Sequence, residues 1–133
     1  MRLILSTGEV SGDLQGSFLV KALFEEAQKR SISLEVLALG GNRMKEQGAE
    51  LIANTSSIGA IGFLETIPYL IPTLKAQALV DEIFKKSPPD ALILIDYMGP
   101  NIRLGNKARY LQPSIPIVYY IAVSYTHLRA HET

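Results

Sequence analysis

Short apolar runs alternate along this chain with segments in which apolar residues recur every three or four positions. The runs have the length of strands and predict five of them, at 2–6, 34–39, 50–53, 91–95 and 117–121. The periodic segments predict helices at 12–30, 43–47, 63–70, 73–86 and 102–111. We expect Pro72 to separate the third helix from the fourth, because proline disrupts a helix interior. This alternation is typical of an α/β protein with a parallel sheet.

The turn after the first predicted strand has the composition of a binding loop. Gly8 and Gly12 permit positive φ and close approach of a ligand, and the turn presents Glu9. Ser11 is placed to cap the following helix, and Asp13 to face its partly positive N-terminus. The same residues also fit a turn that only caps a helix. Both interpretations stay open on spacing alone.

A second carboxylate, Asp96, follows the apolar run predicted as the fourth strand. In a sheet of order 3-2-1-4-5, the first and fourth strands are neighbours at the point where the winding reverses. Asp96 and Glu9 would then open into one crevice. Asp96 is therefore a candidate proton acceptor, with the alternative that it accepts backbone hydrogen bonds to fix the following turn.

Composition excludes several classes of function. The 133 residues fit one domain, and 47% hydrophobic with 20% charged residues is ordinary for a globular fold with a core. Zero net charge without a basic cluster argues against nucleic-acid binding, and the absence of cysteine excludes disulfides and thiol catalysis. The first loop has neither a dinucleotide nor a phosphate-loop glycine pattern, so NAD and ATP are disfavoured. Charges and prolines interrupt the apolar region 58–80, and no signal peptide is apparent.

The last ten residues differ in character from the rest and contain both histidines, His127 and His131. Their sequence resembles the translation of a transposon-end sequencing adapter. We therefore expect residues 123–133 to be a non-native read-through tail, with the genuine sequence stopping near residue 122. The histidines are then not a metal site.

Several motifs occur together in a characteristic order: GEVSGD at 8–13, LGGNRM at 39–44, IGAIGFLE at 58–65, PD at 89–90, ID at 95–96, PN at 100–101 and VYYIA at 118–122. In order and spacing the chain resembles the lipid-A-disaccharide synthase family over residues 1–122. That family, glycosyltransferase family 19, has the GT-B architecture of two Rossmann-like domains. The resemblance implies that this chain is a partial N-terminal, acceptor-side domain with a three-layer parallel sheet of order 3-2-1-4-5. It also implies that the C-terminal UDP-sugar-binding domain lies outside the chain.

The resemblance implies an inverting, metal-independent transfer with no cofactor. Diacylglucosamine passes from UDP-diacylglucosamine to diacylglucosamine 1-phosphate, forming a β-1,6 link and releasing UDP. By position, Asp96 is the general base acting on the acceptor 6-hydroxyl. The resemblance makes a second set contacts to the acceptor or supports for the base, namely Glu9, Ser11, Gly12 and Asp13. It makes Asn101 a polar substrate contact at the same rim. Many members read Asp-x-Pro-Asp-Phe-Asn where this chain reads DYMGPN, so a second aspartate of that loop is missing.

Location and partners follow from the same resemblance. We expect a cytoplasmic protein with peripheral contact at the inner membrane, and no transferase activity from this chain alone. The apolar segment 62–80 either covers the sheet or forms a surface for acyl chains. Two alternatives stay open: another GT-B sugar-nucleotide enzyme, such as a UDP-sugar epimerase, and a non-catalytic Rossmann-like binding module.

Overall fold

The computed structural model describes residues 1–8, 10–55, 67–96 and 98–121. Within these ranges, strands and helices alternate along the chain. The strands are β1 (Arg2–Ser6), β2 (Glu35–Gly40), β3 (Glu50–Asn54), β4 (Ala91–Ile95) and β5 (Ile117–Tyr120). The helices are α1 (Val10–Lys29), α2 (Asn42–Glu46), α3 (Ile67–Lys86) and α4 (Met98–Leu111).

The five strands form one sheet in the order β3-β2-β1-β4-β5, and every neighbouring pair is parallel. The central strand β1 pairs with β2 on one side and β4 on the other, so that Leu5 lies opposite both Ala38 and Ile93. The predicted fold class and strand order are confirmed. All strands point the same way, and their carboxyl ends therefore meet at one edge of the sheet.

Helices cover both faces of the sheet and complete three layers. Successive residues of a strand face opposite sides, so β1 contributes Ile4 to one core, and Leu3 and Leu5 to the other. The first core includes Val80 and Phe84 of α3 together with residues of α4. The second core is closed by α1 and α2. Burial on both faces explains why the strands are apolar throughout.

Two helix boundaries differ from the sequence prediction. α3 runs without a break through Pro72, so the predicted division into two helices is wrong. Proline fixes φ near the helical value and removes one backbone donor, which a long helix packed on a sheet can tolerate. α4 begins at Met98 rather than at 102 and includes Pro100 in its first turn, where the missing N–H would have no intrahelical partner.

The outer strand β5 carries apolar side chains that are open to solvent. Val118 is 50% exposed, and Ile121, directly after the strand, is 60% exposed. Tyr119 and Tyr120 are also exposed, as is Tyr110 at the end of α4. In the part of the sheet that is described, β5 pairs with β4 alone.

The apolar segment is described only in part. Residues 56–66, which include the IGAIGFLE motif, lie outside the described residues, and so does the predicted tail at 123–133. Ala76 and Val80 of α3 are buried in the core, so that this stretch of the helix covers the sheet. Among the described helices, none is both long and apolar enough to cross a membrane.

Candidate functional site

Buried polar side chains gather at the carboxyl edge of the sheet. Among the described residues, all such side chains except that of Ser17 lie there: Ser6, Thr7, Asp13, Thr55 and Asn101. Ser6 ends β1, Thr7 and Thr55 follow β1 and β3, and Asp13 and Asn101 belong to the first turns of α1 and α4. We refer to these five residues together with Asp96 as the carboxyl rim. Strand and helix ends leave backbone groups without regular partners, and polar side chains here can satisfy them.

Asp96 occupies the predicted place, directly after β4 and beside β1. Its backbone has φ 44°, in the left-handed region that few residues other than glycine adopt. The Asp96 N–H donates to the Tyr120 carbonyl at 3.0 Å, and its own carbonyl accepts from the Asn101 side-chain amide at 2.8 Å. The residue is half-buried. A strained backbone held from both sides is characteristic of functional positions.

Asn101 lies beneath this turn with only 1% of its surface exposed. Its Oδ1 accepts from the Ser6 hydroxyl at 2.8 Å, and its Nδ2 donates to the carbonyls of Ser6 and Ile95 at 3.1 and 3.2 Å. The residue therefore links the ends of β1 and β4. The substrate contact predicted for Asn101 stays a prediction, since the contacts observed are all within the protein.

Asp13 is also buried, and its partners are not those expected. It lies in the first turn of α1, but its carboxylate accepts hydrogen bonds from backbone amides at the start of α2. The donors are the N–H groups of Gly41 at 2.8 Å, Arg43 at 3.2 Å and Met44 at 3.2 Å. The expectation that Asp13 faces the N-terminus of its own helix is thus corrected. Its predicted substrate contact stays a prediction.

The two remaining described residues of the predicted loop lie inside α1. Gly12 is the third residue of α1 and does not use the positive φ that a glycine permits; among the described glycines, Gly48 has that conformation. A β-carbon on Gly12 would collide with the Thr7 hydroxyl, which explains the glycine by packing. Ser11 is exposed and is the second helical residue, two positions after the N-cap position. Glu9 lies outside the described residues.

Thr7 and Thr55 belong to the carboxyl rim although the sequence analysis did not select them. The Thr55 hydroxyl donates to the Thr7 carbonyl, and the Thr55 N–H donates to the Gly40 carbonyl at 2.8 Å. The Thr7 N–H donates in turn to the Leu39 carbonyl at 2.8 Å. These bonds tie together the carboxyl ends of β1, β2 and β3. The only signal in the sequence is that each threonine follows the end of a predicted strand.

The chemistry available at the carboxyl rim is that of a carboxylate on a rigid support. The threonines join the ends of β1, β2 and β3, and Asn101 joins the ends of β1 and β4. In the described ranges, no three histidine, cysteine or acidic side chains come together as a metal site would require. Such an arrangement is able to hold a proton acceptor at a fixed place beside a bound ligand.

The sequence of this chain matches a family of known proteins. A family model described as lipid-A-disaccharide synthetase matches residues 3–127. A lipid-A-disaccharide synthase of Prochlorococcus marinus is 57% identical over 122 residues, and one of Synechocystis sp. is 49% identical over 122. One of Coxiella burnetii is 32% identical over 120 residues. These alignments cover 92%, 92% and 90% of this chain but 31%, 31% and 30% of the relatives. This chain belongs to the lipid-A-disaccharide synthase family.

Proposed function

We propose that this chain forms the acceptor-side part of a glycosyltransferase that makes the lipid A disaccharide. The whole enzyme transfers diacylglucosamine from UDP-diacylglucosamine to diacylglucosamine 1-phosphate and releases UDP. The family match and the names of the relatives support this activity. The observation that carries it for this chain is the position of Asp96, held in a left-handed turn after β4 and beside β1.

In the proposed reaction, Asp96 is the general base. Its carboxylate takes the proton of the acceptor 6-hydroxyl while that oxygen forms a bond to the anomeric carbon of the donor sugar. The bond from the anomeric carbon to the diphosphate oxygen breaks on the opposite face, which inverts the configuration and releases UDP. Groups that stabilise the departing diphosphate are expected in the part of the enzyme outside this chain. Positioning both sugars supplies a large share of the rate enhancement.

We also propose a cytoplasmic enzyme that contacts the inner membrane peripherally. The support is the acylated nature of the proposed substrates together with the apolar segment 62–80. Ala76 and Val80 are buried against the sheet and are not available for this contact, whereas Leu79 on the other face of the helix is 44% exposed. Binding of the whole enzyme to vesicles of anionic lipid is the measurement that checks the proposal.

The function is tested in a chimera, in which residues 1–121 of this chain replace the matched segment of the Prochlorococcus marinus relative. We expect Asp96→Asn to lower kcat for transfer between the two sugar substrates by about 10²- to 10⁴-fold, because the amide cannot accept the proton. The matched control is Asp90→Asn, at the opposite end of β4, where Oδ2 accepts from the Arg2 N–H. This control is expected to retain full activity.

Each alternative predicts a different result from the same chimera. A chimera that interconverts UDP-sugars without transferring them would be an epimerase. Full transferase activity in the Asp96→Asn chimera would show that Asp96 is not the base and would contradict the proposal. A binding module would show no turnover of either kind.

A further inference from the structure

We propose that Asn101 is the positioning residue of this site: its side-chain amide holds Asp96 in the left-handed conformation, and Asn101 does not itself contact the sugar. The inference rests on the proposed function of Asp96 as the base. It differs from the substrate contact that the sequence predicts for Asn101. Three observations support it, namely the hydrogen-bonding capacity of the amide, the backbone of Asp96 and the burial of Asn101.

The hydrogen-bonding groups around Asn101 require an amide. Nδ2 faces three carbonyl oxygens, of Ser6, Ile95 and Asp96, and a carbonyl can only accept. Oδ1 receives the Ser6 hydroxyl. An aspartate of the same shape would offer oxygens to all three carbonyls and donate to none when ionised. The side chain thus matches its surroundings by its hydrogen-bonding character and not only by its size.

The backbone of Asp96 needs support from outside its own turn. A φ of 44° is unfavourable for an L-residue, and such conformations persist only when their surroundings hold them. β5 anchors the Asp96 N–H through the Tyr120 carbonyl, and Asn101 anchors the carbonyl on the other side of the residue. Asn101 is the fourth residue of α4. It therefore fixes the first turn of that helix to the strand end from which Asp96 projects.

Burial indicates that Asn101 acts through Asp96. The residue is 1% exposed, and the two hydrogens of its amide already serve three acceptors. A sugar hydroxyl would have to displace one of these bonds to reach the amide. The carbonyl of Asp96 receives the shortest of the three, at 2.8 Å.

The test uses Asn101→Asp and Asn101→Ala in the chimera, with Asn106→Ala on the exposed side of the same helix as the matched control. We expect both Asn101 variants to lower kcat by roughly 10²-fold, the scale of a misplacement of about 1 Å. KM for each sugar is expected to stay within about twofold, because no substrate contact is removed. Asn106→Ala should leave both constants unchanged. A raised KM with unchanged kcat would assign Asn101 to the substrate instead, and two unchanged constants would also overturn the inference.

A second readout is independent of activity. In a crystal structure of the Asn101→Asp chimera, Asp96 is expected to have left the positive φ region. Retention of a φ near 44° would overturn the inference even if Asp96→Asn is inactive. If Asp96→Asn proves fully active, the proposed base is wrong, and the φ of Asp96 alone decides whether Asn101 holds this turn.

A milder variant, Ser6→Ala, tests the same inference. If the Asn101 variants fail to fold, Ser6→Ala removes one of the four hydrogen bonds and leaves the amide in place. Its kcat is expected to fall about threefold with KM unchanged, in proportion to the loss of one ordinary hydrogen bond. A Ser6→Ala chimera that folds and keeps full kcat would overturn the inference.

Discussion

Gly12 shows how the identity of one residue is determined by a neighbouring residue of the carboxyl rim. The Thr7 hydroxyl occupies the space that a β-carbon at position 12 would need, and both residues are buried. The glycine therefore allows α1 to lie directly against the turn after β1. Close packing of a helix on a strand end explains this residue without reference to a ligand.

A pair of glycine substitutions tests this explanation. Gly12→Ala in the chimera should lower the free energy of unfolding by about 1–3 kcal/mol, the usual cost of overpacking. Gly99→Ala is the control, because a β-carbon there meets nothing within 4 Å. Gly99→Ala should be neutral or stabilising by up to ~1 kcal/mol, since alanine favours the helix. The measurement is the shift of the thermal unfolding midpoint, and equal midpoints for the two variants would contradict the packing argument.

Sequence identified the position of Asp96 but not the partners of Asp13 and Asn101. A carboxylate directly after an apolar strand is a local feature, and it remains local in the fold. The amides that bind Asp13 lie 28 to 31 residues further along the chain, and Ser6 lies 95 residues from Asn101. The spacing of residues along the chain does not show which loop lies beside a given side chain in the folded protein. These roles required the tertiary structure.

At the scale of elements, the dependence of α2 on α1 is the clearest case. α2 has only five residues, and its N-cap position is Gly41, which has no side chain to offer. A helix of this length is unstable on its own in water. The Asp13 carboxylate of α1 binds three amides at its start and replaces the missing cap.

We therefore expect Asp13→Ala to loosen α2 specifically. Losing the charged acceptor should cost about 1.5–3 kcal/mol, because the amides it leaves are largely buried. Hydrogen exchange of the Arg43 and Met44 amides in the chimera should accelerate more than exchange in β1. Glu46→Ala, at the exposed far end of the same helix, provides the control. Protection of the two amides that survives Asp13→Ala would refute this dependence.

The elements themselves were largely predictable. Alternation of apolar runs with helical periodicity gave all five strands in place, and a parallel sheet follows from the helices between them. Pro72 was misjudged because packing of α3 on the sheet outweighs one lost hydrogen bond. The start of α4 was predicted too late because glycine followed by proline is typical of a loop. Both Gly99 and Pro100 lie in the first turn of α4, where proline is tolerated.

At the scale of the whole molecule, the chain spans about 31% of the length of the Prochlorococcus marinus relative. The carboxyl rim contributes the proposed base, and the proposed reaction also needs a site for the UDP moiety. We expect the isolated 133-residue chain to release no UDP and to form no disaccharide when it is given both sugar substrates. The chimera serves as the positive control, and turnover by the isolated chain would contradict this expectation.

The exposed outer strand has a practical consequence. Among the described residues, β5 has no neighbouring strand on its outer side, and it carries solvent-facing valine and tyrosine, a combination on which strands of separate molecules can assemble. A preparation of this polypeptide by itself is therefore prone to self-association through β5. We expect Val118→Lys in β5 to reduce this self-association, because a charged side chain on an outer strand disfavours pairing with a strand of another molecule. The substitution leaves β3, at the other edge of the sheet, unchanged.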